Sequence, residues 1–255
     1  MTRLQQQQFP WQELGKILAG FLCIWVAFDR TAHLTHSTFG ESGVLICIVV
    51  VATTFGVEKL IFKQTVADAM RSLGLGCPNL RTMLIAIFIC VMLLAFYPAF
   101  SLVTGAKLTL HNDWLGMSLG LFAQAGVAEE VLFRGYLFGH LRRERTFWHA
   151  ALLSLLPFVA VHVLLFASLD WAIALASILL AVAVTVPFCY LYDRNRRTIW
   201  ASALIHWIIQ GAIKLVIIPD SFSLPIALGW MAMCATVPYV VFVFRRNRIS
   251  NQLLI

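Results

Sequence analysis

Charge is scarce in this chain. Only 12% of its 255 residues are Asp, Glu, Lys or Arg, whereas 60% are hydrophobic, and the mean hydropathy is +0.84. So much apolar surface exceeds what one soluble core can hide, which excludes an ordinary water-soluble domain and points to a polytopic membrane protein. Paired cysteines are lacking too. The six present, Cys23, Cys47, Cys77, Cys90, Cys189 and Cys234, show no CxxC spacing, and all but Cys77 lie in apolar runs. A thiol there behaves as a small hydrophobe, so neither a disulfide framework nor a zinc knot is expected. No internal repeat, low-complexity linker or second domain interrupts the pattern, and residues 1–255 read as a single integral-membrane domain. The first apolar run follows a Gln-rich tail and meets no small-residue cleavage site before Asp29 and Arg30, so it reads as a retained anchor.

What charge there is tends to be basic, with a formal net of +7 and a pI near 9.3. The basic residues sit in short clusters between apolar runs, where they act as topology signals, and no nucleic-acid partner is expected. Taking apolar runs of roughly 20 residues as membrane helices, spans fall at 14–32, 43–62, 82–104, 114–138, 150–169, 171–192, 199–218 and 222–244. The fold class is therefore an all-α bundle of about eight transmembrane helices with an intramembrane polar cavity. Only "LDW" separates the fifth and sixth spans, which implies a tight turn. The long connection 63–81 reads as an interfacial helix ending at "GLGCPN".

Alternate loops differ sharply in charge. Arg3, then Lys63, Arg71 and Arg81, then Arg142, Arg143 and Arg145, then Arg194, Arg196 and Arg197, then Arg245, Arg246 and Arg248 share one side, against Arg30 and Lys107 on the other. Because positive loops stay in the cytoplasm, the chain reads as multi-pass in the cytoplasmic membrane with both termini inside.

Ionisable groups in hydrocarbon are costly unless they pair or line a watery cavity. Lys16, Glu58 and Lys59 lie near span ends and are expected to snorkel. That leaves Glu129, Glu130, Arg134, His162, His206 and Lys214, with Gln210 as a neutral companion. Glu130 and Arg134 are four apart and stack on one helical face as a charge-assisted pair, whereas Glu129 points about 100° away, free to turn toward a cavity. "FVAVH" puts Phe158 and His162 on one face just after Pro157, where a kink is expected. "HWIIQGAIK" recurs in His206, Gln210 and Lys214 every four residues along one stripe, with Lys214 expected to snorkel outward.

At about 1.5 Å per residue, Glu129, His162 and His206 reach one depth on three helices. A glutamate with two histidines suits water activation, either by general-base catalysis or through a metal held by Glu129, His162 and His206. No HExxH or HxxxH supplies ligands on one helix, which favours a reading that needs no cofactor, with zinc as the alternative. In the metal-free version Glu129 and His162 orient and deprotonate water, and His206 and Gln210 hydrogen-bond the oxyanion.

The motifs "EEVLFRG" (129–135), "FVAVH" (158–162) and "HWIIQ" (206–210), in that order, resemble those of the type II CAAX prenyl endopeptidase family, also called CPBP or ABI. Its pattern is EExxxR, FxxxH, then HxxxN or HxxxD, and the resemblance covers roughly 114–218, which is thereby the expected catalytic core. It implies an intramembrane endopeptidase in which Glu129 and His162 activate water and His206 serves the oxyanion. Glu130 and Arg134 support the site, Phe158 belongs to the second motif, and Gln210 stands where the family has asparagine. The implied partners are the membrane and a peptide or protein substrate, prenylated or carrying a C-terminal sorting tail. Two other readings remain: a bacteriocin-immunity or binding protein without turnover, and a small proton-coupled transporter.

Overall fold

The structure, a computed structural model, describes residues 11–35, 40–167 and 170–244. Arg3, Arg245, Arg246 and Arg248, used above for orientation, lie outside the described residues, as do two positions at the turn before Trp171.

The chain is helical almost throughout. Helices α1 (Trp11–Leu34) and α2 (Glu41–Leu60) pack along each other, followed by the short α3 (Val66–Ser72), then α4 (Leu80–Leu94) and α5 (Phe96–Thr104). A single helical run then spans residues 114–144. It is α-helical over Trp114–Leu121 (α6), π-helical over Phe122–Ala128 and Val131–Phe138, and α-helical again over Gly139–Glu144 (α7). Helices α8 (Phe147–Val163), α9 (Trp171–Arg194), α10 (Trp200–Leu215) and α11 (Ser223–Thr236) complete the bundle. Two short strands, β1 (Thr109–Leu110) and β2 (Val216–Ile217), pair antiparallel at one end of the molecule.

Local chemistry sets these boundaries. Asn79, Thr146 and Asp170 each accept a backbone N–H of the first turn of the helix they precede, so part of every orphaned set of donors is satisfied. Helix α3 is a helix within the 63–81 connection, where one was anticipated; Thr65 caps it and Gly74, at φ +73°, ends it. The helix-long apolar faces of Leu18, Leu22, Ile48, Leu84, Leu156 and Leu179 remain exposed, which is the expected surface where lipid is the solvent.

Among the described residues six helical segments are long and apolar enough to cross a membrane: Trp11–Leu34, Ser42–Leu60, Leu80–Thr104, Phe147–Ala167, Trp171–Arg194 and Asp220–Phe242. The remaining two of the eight expected spans are the run 114–144, which carries Glu129, Glu130 and Arg134, and α10, which carries His206 and Gln210. They are central: α10 packs on α4 and on the first π-helical segment, which also meets α2. At Gly126 the backbones come so close that a Cβ would stand 3.1 Å from the Ala203 carbonyl oxygen.

One expectation from the sequence needs correction. Glu58 does not snorkel. It is fully buried and its Oε1 meets His140 Nε2 at 2.7 Å, with the Phe62 ring 4.2 Å from the imidazole. A partner across the bundle, invisible in span-end position, makes burial tolerable. Pro157 lies inside α8, which runs on as a helix to Val163.

Candidate active site

The run 114–144 presents its motif from a wide-turned backbone. Glu129 and Glu130 lie between the two π-helical segments, a geometry uncommon in helices and concentrated at functional positions. The sequence expectation assumed α-helical spacing, in which the two carboxylates diverge. In the structure both reach the same imidazole.

Glu130 is fully buried. Its Oε1 accepts from Arg134 Nη1 at 2.9 Å and meets His206 Nδ1 at 2.8 Å. An ionised carboxylate only accepts, so Nδ1 of His206 carries the hydrogen and the ring orientation is set. The other ring nitrogen, Nε2, faces Glu129 Oε2 at 3.6 Å. That separation is too long for a hydrogen bond but close enough for the two groups to act on each other electrostatically. Glu129 keeps 17% of its side chain exposed, while Glu130 keeps none. Two adjacent glutamates are therefore made chemically different: one is sealed in the core, one is partly exposed.

Arg134, 1% exposed, is held on three sides. Besides the Glu130 ion pair, its guanidinium lies 4.7 Å from the centre of the Phe158 ring and 5.0 Å from that of Phe188. Cation–π contact with desolvated rings supplies part of the stabilisation that water would otherwise give. Phe158 thus has a defined place: it stacks on Arg134, touches Phe133 at 4.5 Å, and lies 4.7 Å from the His162 ring.

His162 is half-buried at the end of α8, and its Nδ1 lies 2.7 Å from the Phe158 carbonyl oxygen. A carbonyl accepts, so Nδ1–H donates and Nε2 is left as the acceptor of the neutral ring. The charges of Glu129, His206 and Arg134 all act on this imidazole, which places it in the same electrostatic neighbourhood. Gln210, one turn beyond His206 on the same stripe, is half-buried and stands outside the Glu129, Glu130 and His206 network. Lys214, expected to reach outward, is instead half-buried and feels the Glu129 carboxylate.

Three residues escaped the reading of the sequence. Phe188 has no polar signal, and only the fold shows that α9 brings it onto Arg134 and to 5.6 Å from the His206 ring. Ser202 stands beside Glu130 and donates to the Ile199 carbonyl at 3.0 Å. Its spacing was visible: it extends the four-residue stripe of His206, Gln210 and Lys214 one step earlier. Gln124, on the first π-helical segment, has a buried Oε1 without a hydrogen-bond partner, as do Glu130 Oε2 and Arg134 Nη2. Such atoms mark where a polar guest or water is accommodated.

Among the described residues no three His, Cys, Asp or Glu side chains are grouped to hold a metal ion.

The fold and this centre define a class: a polytopic helical membrane protein in which two carboxylates and a guanidinium on one helical run meet an imidazole from another helix. Comparison with known families refines it. Residues 111–212 match the family described as type II CAAX prenyl endopeptidase Rce1-like, and that stretch contains all three motifs. This match, over 102 of the 255 residues, is to a family of CAAX-type intramembrane proteases and supports a place for the chain in the CPBP group. No curated protein matches the chain.

Proposed function

We propose that the protein is an intramembrane endopeptidase that hydrolyses a peptide bond near the C-terminus or in a membrane segment of its substrate, with Glu129 as general base. One observation carries the reading: Glu130 is fully buried with Arg134 and His206 Nδ1 both on its Oε1, whereas Glu129 is partly exposed and faces His206 Nε2 across 3.6 Å. A carboxylate sealed in the core beside its guanidinium is shut off from substrate, and a partly exposed one beside an imidazole is placed to act as a base.

In the proposed reaction, water donates its hydrogens to Glu129 and to Nε2 of His162, which leaves a lone pair free to attack. Glu129 takes one proton as the oxygen adds to the peptide carbonyl carbon, and the C=O electrons move to the oxyanion. His206, anchored through Nδ1 to Glu130, receives that oxyanion when Nε2 also carries a hydrogen, and the Gln210 amide is the second donor. When the tetrahedral species collapses, the C–N electrons leave with the amine, which takes the proton held by Glu129. The products are a carboxylic acid and an amine, and the site is restored. The family resemblance supports a lipid-modified or membrane-anchored peptide as substrate class.

The test is cleavage of prenylated and unmodified membrane peptides by detergent-purified protein, read by mass spectrometry. Glu129→Gln should lower the rate by about 10²- to 10⁴-fold, the usual worth of a general base, with the elution profile unchanged. Full cleavage by Glu129→Ala, His162→Ala and His206→Ala would remove these residues from the mechanism. A binding or immunity role without turnover is supported instead if the wild-type protein retains the peptides uncut.

A further inference from the structure

Away from the proteolytic centre, a cavity of about 460 Å³ opens on the face that carries the basic loops. Its volume falls within the range of about 300–1,000 Å³ usual for small-molecule sites. Arg71, Arg143, Arg196 and Arg197 line it against the single acid Asp68. Asp68 is already spent on Arg71, whose Nη2 it meets at 2.9 Å. Arg143 donates from Nη2 to Ser72 Oγ at 3.3 Å, and the side chains of Arg196 and Arg197 have no acceptor of their own among the described residues. The cavity is thus a place where positive charge converges and protein anions do not answer it.

The backbone tells the same story independently. Arg196 and Arg197 both sit in the left-handed region, each at φ 58°, a conformation disfavoured for side chains with a Cβ and rare in succession. The surrounding turn enforces it. Asn195, fully buried, accepts the Asn79 N–H at 2.7 Å, Arg197 N–H reaches the Tyr192 carbonyl at 3.1 Å, and Thr198 Oγ1 donates to the Asn195 carbonyl at 2.7 Å. Strain retained in so tightly bonded a turn is characteristic of sites where a conformation is needed for function. Gly135 and Gly139 of the helical run also line the cavity.

We infer that this cavity binds a phosphate group, with Arg143, Arg196 and Arg197 as its principal ligands. Guanidinium forks match phosphate oxygens bidentately, and basic pockets between membrane helices on the cytoplasmic side take anionic lipid headgroups. A lipid phosphate and free phosphate share this chemistry. The site does not depend on the proteolytic reading, since none of its ligands is a motif residue.

Thermal unfolding of the detergent-purified full chain tests it, because a ligand that binds only the folded state raises Tm in a saturable way. The probes are short-chain phosphatidic acid, inorganic phosphate, and short-chain phosphatidylcholine as the zwitterionic control. Phosphatidic acid or phosphate should raise Tm where phosphatidylcholine does not. A tenfold or greater preference for phosphatidic acid assigns the site to lipid, and equal affinity assigns it to free phosphate. Arg196→Gly with Arg197→Gly removes two ligands at positions where glycine relieves the left-handed backbone, so folding should be preserved while affinity falls by about tenfold or more. Arg143→Gln, outside that turn, should weaken binding likewise, and Arg81→Gln, a basic residue that does not line the cavity, should not. The inference is overturned if no phosphate probe raises Tm, if the glycine variant responds as wild type does, or if Arg81→Gln weakens binding equally, which would reduce the effect to diffuse surface charge.

Discussion

Glu129 and Glu130 are neighbours in sequence and identical in chemistry, yet their surroundings give them separate tasks. Glu130 holds His206 and is itself held by Arg134, so the His206 ring cannot rotate without breaking its buried contact with Glu130. Arg134 depends in turn on its two aromatic faces. A lysine at that position keeps the charge but loses both the planar stacking on Phe158 and Phe188 and the rigid fork. Arg134→Lys should therefore impair cleavage nearly as much as Arg134→Met. The methionine variant, which leaves Glu130 buried without its cation, should be destabilised by about 3–5 kcal/mol, measurable by denaturant unfolding in detergent. The Glu58 and His140 pair obeys the same rule at another site, and His140→Leu should lower stability whereas the paired replacement Glu58→Leu with His140→Leu should recover most of the loss.

At the scale of elements, the site exists because α10 lies close enough to the run 114–144 for His206 to meet both glutamates. Gly126 permits that approach, with a would-be Cβ only 3.1 Å from the Ala203 carbonyl oxygen. Gly126→Val should push the two helices apart, cost about 1–3 kcal/mol through overpacking, and reduce cleavage more than stability, since the contact at 3.6 Å between His206 and Glu129 widens first. Comparing the cleavage rate with the unfolding midpoint of the same variant checks this. The π-helical turns matter here too. They set the direction of two consecutive carboxylates in a way α-helical spacing does not, and for this reason the divergence expected from the sequence is absent in the fold.

The molecule as a whole is asymmetric in charge. Arg71, Arg143, Arg196 and Arg197 come from three separate connections and still line one cavity, which is what alternate loops on one side of a membrane require. Under the positive-inside rule a reporter active only outside the cytoplasm should give signal when inserted after Lys107 and none when inserted after Arg145. The reverse pattern would invert the orientation. Helix existence, the approximate spans, the helix α3 and the motif residues were readable because lipid imposes length and hydropathy on every crossing segment, and because charge in hydrocarbon stands out against it.

Burial of Glu58 against His140, the Phe188 face of Arg134, and the basic cavity were not readable, since each joins residues from helices remote in the chain. Sequence by itself determined which groups are too costly to leave alone in a membrane: Glu129, Glu130, Arg134, His162 and His206 had to find partners or water wherever the chain placed them. Tertiary structure decided which partner each one found. Pairing depends on the direction and separation of side chains a few ångströms apart, and those are set by helix packing and by the width of a helical turn, neither of which local sequence patterns encode.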